Sequence, residues 1–213
     1  MTPLADARLY LVAGATVGAV SVADLLPELA GAGVDVLQLR EKEMDAAPLL
    51  RAAQGLALAA RSVGVPFFVN DRPDVALVSG ATGVHLGQDD LPVAAARRAA
   101  PGALVGWSTH SEEQIDAVLA WAEPPDYIAV GPVYETPTKP GRPATGLGLL
   151  RYAAEHVPPG LPWFAIGGID HGNVPGVLDA GARRIVVVRA IAEAPDPAEA
   201  AARLRDVLDS VTV

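Results

Sequence analysis

Tyr127-Ile128-Ala129-Val130-Gly131-Pro132-Val133-Tyr134-Glu135-Thr136-Pro137-Thr138-Lys139 begins as an apolar run and ends in two hydroxyls and an ammonium. The run 127–130 shows no apolar–polar alternation, so it reads as a strand buried on both faces. Pro137 sets one φ angle between the two threonines. A loop of that composition can place donors around a phosphate. It also describes an ordinary polar turn, and only the rest of the chain separates the two readings.

The same order of apolar run and polar loop recurs. Runs at 9–12, 36–39, 66–69, 83–86, 104–107, 127–130, 163–166 and 185–188 read as strands. Between them lie Ala- and Leu-rich stretches at 23–32, 46–62, 72–79, 92–99, 111–121, 146–156, 174–180 and 197–208 that read as helices. Ser111 before Glu112, Glu113 and Gln114 is an N-terminal capping signature. The stretches 31–34, 63–66 and 180–183 place a glycine where a helix stops before the next strand. Eight strand–helix repeats in 213 residues, with no Pro- or Ser-rich linker, predict one domain over residues 1–213. Its class is α/β and its architecture a single-domain (β/α)8 TIM barrel. The rival is an open doubly wound sheet. Its first crossover calls for G-x-G-x-x-G, which Gly14-Ala15-Thr16-Val17-Gly18 does not match.

Composition narrows the function classes. The formal net charge of -9 argues against a general nucleic-acid surface. It leaves room for an anionic small substrate, because local cations or a divalent metal reverse the field inside a cleft. The absence of cysteine excludes disulfides, thiolate nucleophiles and Cys-based metal sites. The small, apolar stretch 9–23 follows Arg8 in the manner of a signal segment. Asp6 offsets Arg8, and Gly14, Thr16 and Gly18 interrupt the run, so it reads as a first strand and its loop. No apolar run is long enough to span a membrane, and a cytoplasmic enzyme is expected. Helix faces that bind partners look like faces that bury core, so a homo-oligomer stays open.

A barrel places its working residues at the C-terminal ends of the strands. The second strand ends in Gln38-Leu39-Arg40-Glu41-Lys42, where period two puts Gln38, Arg40 and Lys42 on one face. An amide and two cations there favour an anion; the alternative is a solvated end with Glu41 and Glu43 pairing the cations. The third strand ends in Asn70-Asp71, and the fourth runs into Gly87-Gln88-Asp89-Asp90. Carboxylates from adjacent strand ends suit Mg2+, a hard ion that completes its shell with water and phosphate. Asn70-Asp71 is also good turn chemistry, and Asp90 is also a candidate helix cap. Ser108 and Thr109 end the fifth strand, either as ligand donors or as caps. His110 is a candidate acid or base or a structural helix-start residue. His85, inside the fourth strand, reads as a satisfied core imidazole. Gly167-Gly168 and Val188-Arg189 end the last two strands, the habitual phosphate site of this fold, although paired glycines also make a plain tight turn.

Taken together, the motifs 38–42, 70–71, 83–90, 131–139 and Gly167-Gly168-Ile169 resemble the thiamine-phosphate synthase family over about residues 8 to 208. The resemblance implies a transferase joining hydroxymethylpyrimidine diphosphate to thiazole phosphate, with release of diphosphate. It implies that Gln38, Arg40 and Lys42, with Asn70, Ser108 and Lys139, hold the pyrimidine diphosphate, within the segment that also carries Leu39 and Glu41. Arg40, Lys42, Ser108 and Lys139 would carry the catalytic burden. Asp71 and Asp90 would bind Mg2+. Thr136, Pro137 and Thr138 would meet the thiazole, with Gly167, Gly168, Val188 and Arg189 near its phosphate. One departure is Arg189, where the family often carries a hydroxyl. Its guanidinium either grips that phosphate or points to solvent.

Three rivals follow. A thiazole tautomerase of the same superfamily would use a histidine such as His110 and would not need Asp71, Asp90 and the full Thr-Pro-Thr-Lys. A silent binding protein for the same phosphates would not need an intact carboxylate pair. An aldolase would want a lysine in an apolar pocket, whereas the chain's two lysines, Lys42 and Lys139, lie in polar segments.

Overall fold

The computed structural model describes residues 4–136 and 143–211. Strand β1 (Leu9–Ala13) leads into a small hairpin, β2 (Thr16–Val17) and β3 (Val20–Ser21), and then α1 (Val22–Gly31). The following pairs are β4 (Val36–Leu39) with α2 (Ala46–Val63), β5 (Phe67–Asn70) with α3 (Pro73–Ser79), and β6 (Gly83–Leu86) with α4 (Val93–Ala99). Next come β7 (Leu104–Thr109) with α5 (Glu112–Leu119), β8 (Tyr127–Val130) with α6 (Gly146–His156), and β9 (Trp163–Ile166) with α7 (Val174–Asp179). The last strand, β10 (Ile185–Val187), is followed by a short α8 (Arg189–Ala192) and by α9 (Pro197–Asp209). All strands except the hairpin pair in parallel and close a barrel, with β1 between β10 and β4.

The lack of alternation in the strands has a direct cause. One face of each strand fills the barrel: Tyr10, Val12, Val36, Phe68, Tyr127, Phe164 and Val186 form one interior cluster, joined by Leu4 and Ala7. The other face, including Leu11, Leu37, Leu39, Val69, Leu86, Trp107, Ile128 and Val187, packs against the helices. Both faces are apolar because both are buried. Large rings need small neighbours. Tyr10 and Phe164 meet edge to face at 5.5 Å between centroids, and Phe68 and Tyr127 at 5.3 Å. A Cβ on Gly106 would collide with the Tyr127 ring, and one on Gly83 with the Phe68 ring.

The N-terminal end of the barrel is stapled by side chains that precede alternate strands. Asp35 Oδ2 accepts from the N–H groups of Arg8 (2.7 Å) and Leu9 (2.9 Å). Thr82 Oγ1 accepts from Phe67 N at 3.0 Å, and Asp126 Oδ2 from Val105 N at 2.7 Å. Leu9 and Phe67 open β1 and β5, and Val105 is the second residue of β7; an acceptor for each N–H avoids a desolvation penalty at these strand starts.

Two local features depart from the sequence reading. The segment after β1 was expected as loop only, yet Thr16 and Val17 pair with Ser21 and Val20 around Gly18 (φ 58°). The last strand was expected to reach residue 188. Val188 leaves the extended region (φ −121°, ψ −86°) and caps α8 instead.

Candidate active site

A cavity of about 390 Å³ opens at the C-terminal mouth, above the aromatic layer. Inward alternation brings Gln38, Asn70 and Ser108 to its wall from β4, β5 and β7, and Ile166 from β9. The volume falls in the range of a small-molecule site.

The end of β4 divides by side. Gln38 and Arg40 line the cavity. Burial pulls the Arg40 pKa down, and the nearby Asp71 carboxylate counters it. From so high a starting point Arg40 remains a cation. Lys42 is more exposed, with Nζ 3.8 Å from Asp71 Oδ2. Two residues of the motif face elsewhere. The Leu39 side chain is buried among the helices. Glu41 Oε1 accepts from Ala15 N at 2.7 Å and lies against Gly14, which ties the β1 loop to the end of β4. Period two forces this split, so the side chains of Leu39 and Glu41 are removed from the expected substrate contacts.

Asp71 follows β5 with φ 63°, a left-handed conformation that Asp tolerates better than most residues. Its N–H donates to His85 O, which places it level with the end of β6. Asp90 Oδ2 accepts from Gly87 N at 2.7 Å in the β6 loop. The two carboxylates therefore stand on adjacent strand ends. Among the described residues no group of three His, Asp or Glu side chains converges as a metal cage. The donor chemistry fits Mg2+ in particular, because that ion takes one or two carboxylates and leaves most of its shell to water and phosphate.

The β7 alternatives separate cleanly. Ser111 is the cap, accepting from Gln114 N at 3.3 Å. Thr109 Oγ1 donates to Ala129 O at 3.2 Å and is fully buried. Ser108 alone points to the cavity, with Oγ 2.9 Å from His85 Nε2. His85 Nδ1 lies 2.9 Å from Tyr127 Oη, so its imidazole is the satisfied interior group expected. His110 lines the cavity, and its Nδ1–H donates to the Gly131 carbonyl.

Thr136, Gly167, Gly168, Val188 and Arg189 line the opposite wall. The paired glycines have positive φ (108° and 64°), and a Cβ on either would strike the β8 loop at Pro132 or Tyr134. That loop is strapped down by Val133 N to Ile166 O (2.9 Å) and Tyr134 N to Gly167 O (3.0 Å). Close backbone packing thus demands Gly-Gly whether or not an anion sits there. Arg189 is exposed at the rim as the first residue of α8. Pro137, Thr138 and Lys139 lie outside the described residues.

Tyr10, Tyr127, Asp170 and Glu193 also line the cavity and were not singled out from sequence. Tyr10 had a signal: it is a polar-tipped ring at an inward position of an apolar strand. Asp170 and Glu193 had none.

A (β/α)8 barrel with Arg40 and two amides on one side of a C-terminal cavity, Lys42, Asp71 and Asp90 on the neighbouring strand ends outside its lining, and a glycine-lined wall opposite belongs to the class that handles small phosphorylated substrates. Comparison narrows this. A family model described as thiamine monophosphate synthase matches residues 9–191. The chain is 58% identical over 183 residues to the thiamine-phosphate synthase of Thermus thermophilus, covering 86% of each. It is 50% identical to that of an Arthrobacter species, covering 97% of this chain and 96% of the relative. The solved thiamine phosphate pyrophosphorylase of Pyrococcus furiosus superposes with a TM-score of 0.85 at 30% identity, covering 97% of each chain. The chain belongs to the thiamine monophosphate synthase family. No helix among the described residues is long and apolar enough to cross a membrane.

Proposed function

We propose that the mouth divides between two substrates, with the pyrimidine diphosphate along β4 to β7 and the thiazole phosphate along β8 to β10. The chain is a thiamine-phosphate synthase, a transferase, as its family and close relatives indicate. The observation that carries the division is the placement of Gln38, Arg40, Asn70 and Ser108 on one wall of a single cavity and Thr136, Gly168 and Arg189 on the other.

The reaction breaks the bond between the pyrimidine methylene carbon and the diphosphate oxygen. The diphosphate leaves with the electron pair, and the thiazole ring nitrogen then donates its own pair to the carbon. No proton need move. Arg40 holds permanent positive charge against the leaving group, half-buried where the local dielectric strengthens it. Lys42 adds a second charge from the rim. Gln38, Asn70 and Ser108 orient the pyrimidine end, and the apolar wall of Ile166 and Val188 keeps water from the cationic carbon. Asp71 and Asp90 would hold Mg2+. When bound, the ion would neutralise the departing diphosphate.

The test is the two-substrate reaction with purified protein. Thiamine phosphate and diphosphate are expected with Mg2+, and little product after chelation. Asp71→Asn and Asp90→Asn should each lower turnover at limiting Mg2+ by about 100-fold. Activity that survives chelation, or rates unchanged in both variants, would remove the metal assignment.

A further inference from the structure

The barrel interior holds an unbroken line of polar side chains. Gln38 Nε2 donates to Tyr10 Oη at 2.8 Å, and Tyr10 Oη lies 2.8 Å from Tyr127 Oη. Tyr127 Oη lies 2.9 Å from His85 Nδ1, and His85 Nε2 lies 2.9 Å from Ser108 Oγ. All five residues are buried. Phe68 and Phe164, packed against the same two tyrosine rings, show that phenylalanine serves this layer as well. The phenol oxygens therefore ask for a reason beyond packing, since a buried hydroxyl is costly unless its donor and acceptor capacity are both used.

Counting hydrogens orients the line. The Gln38 amide donates to Tyr10, so the Tyr10 hydrogen is directed at Tyr127. The Tyr127 hydrogen is then directed at His85 Nδ1, which must accept. His85 is left as the neutral Nε2–H tautomer, and Nε2–H donates to Ser108 Oγ. Had Tyr127 donated back to Tyr10, that phenol would accept twice and its own hydrogen would lack a buried acceptor on this line. Burial drives both phenol pKa values well above the ordinary range, so each keeps its proton.

We propose that this relay, running from Gln38 through Tyr10, Tyr127 and His85, makes the Ser108 hydroxyl an obligate donor into the mouth, with His85, Tyr10 and Tyr127 as positioning residues. With its oxygen already accepting from His85, Ser108 turns its own hydrogen toward the cavity that it lines. A donor at that point suits an oxygen gaining negative charge as diphosphate departs. The opposite polarity would direct the Ser108 hydrogen at His85 and present lone pairs to the anion. The last link rests on the placement of the pyrimidine diphosphate proposed above; the tautomer does not.

Nitrogen-15 NMR of histidine-labelled protein, without substrates, reads the tautomer directly. The chain has four histidines, and the His85 signals are those lost in His85→Gln. Pyrrole-type Nε2 and pyridine-type Nδ1 are expected; the reverse pattern, or a doubly protonated ring, overturns the relay. Tyr127→Phe removes the proton given to Nδ1. It should release the tautomer and lower kcat, with little change in the KM for pyrimidine diphosphate, by roughly the 10–100-fold typical of groups that orient a functional residue. His85→Gln keeps a donor near the Nε2 position and should retain much more turnover than His85→Leu. Equal losses in these two variants count against the relay. The wild-type spectrum alone decides if a variant does not fold. Because it is recorded on the resting protein, it also separates failure of the relay from failure of the substrate assignment.

Discussion

Aspartates at the two ends of the barrel are used in opposite ways. At the N-terminal end Asp35 is saturated by its own fold: two backbone N–H groups and the Arg205 guanidinium at 2.9 Å all meet one carboxylate. Asp126 likewise takes Val105 N and Arg97, the latter at 3.2 Å. At the mouth, Asp71 sits in a left-handed backbone conformation, with the Lys42 ammonium 3.8 Å from its carboxylate. Bonds of the first kind close strand starts and are complete without a ligand. Asp71 and Lys42 stand instead at the C-terminal strand ends, where barrel enzymes carry their chemistry.

The contrast makes predictions that run from large to small. The strongest concerns Arg40. Arg40→Ala should lower kcat/KM for the pyrimidine diphosphate by about 100- to 1,000-fold, the effect of removing one principal charge-stabilising donor. Urea unfolding should show a midpoint near that of the unmodified chain. A large fall in the midpoint with activity kept would place Arg40 with the structural charges and break the contrast. Next is Asp35→Ala, which leaves two strand-start donors without their acceptor. A loss of roughly 2–3 kcal/mol of stability is expected by denaturant titration, with kcat of the folded fraction unchanged. A specific loss of turnover at full folding would mean that the two ends are coupled. The smallest effect belongs to the exposed rim. Arg189→Ser should raise the KM for thiazole phosphate by about tenfold, the loss of one charge-assisted phosphate contact, and leave kcat alone. An unchanged KM would assign Arg189 to solvent and move the boundary of the site inward.

Much of this arrangement could be read from residue order. The unalternating runs announced strands buried on both faces, and the polar residues that follow them marked the mouth. Gln38 and Arg40 were legible because period two is a property of the strand itself. The same rule applied to Leu39 and Glu41 shows why a contiguous motif overstates a site: neighbours on a strand point opposite ways, one into the helix layer and one to Ala15. Gly167-Gly168 was legible as a turn but not in its cause, which is the β8 loop packed across it. The hairpin after β1 escaped notice because two-residue strands carry too few positions to show a period.

What the chain order determined by itself was the number of barrel strands, their succession and the chemistry at each end, since these depend on local periodicity and on residue type. What only the closed barrel decided was which distant groups meet. Tyr10 and Tyr127 are 117 positions apart, and Gln38, His85 and Ser108 come from three further strands. Their hydroxyl, amide and imidazole groups share no period and no motif. They form one line because barrel closure points all five inward, with Gln38 and Ser108 one inward position closer to the mouth than Tyr10, His85 and Tyr127, and burial leaves each little choice but to bond the next.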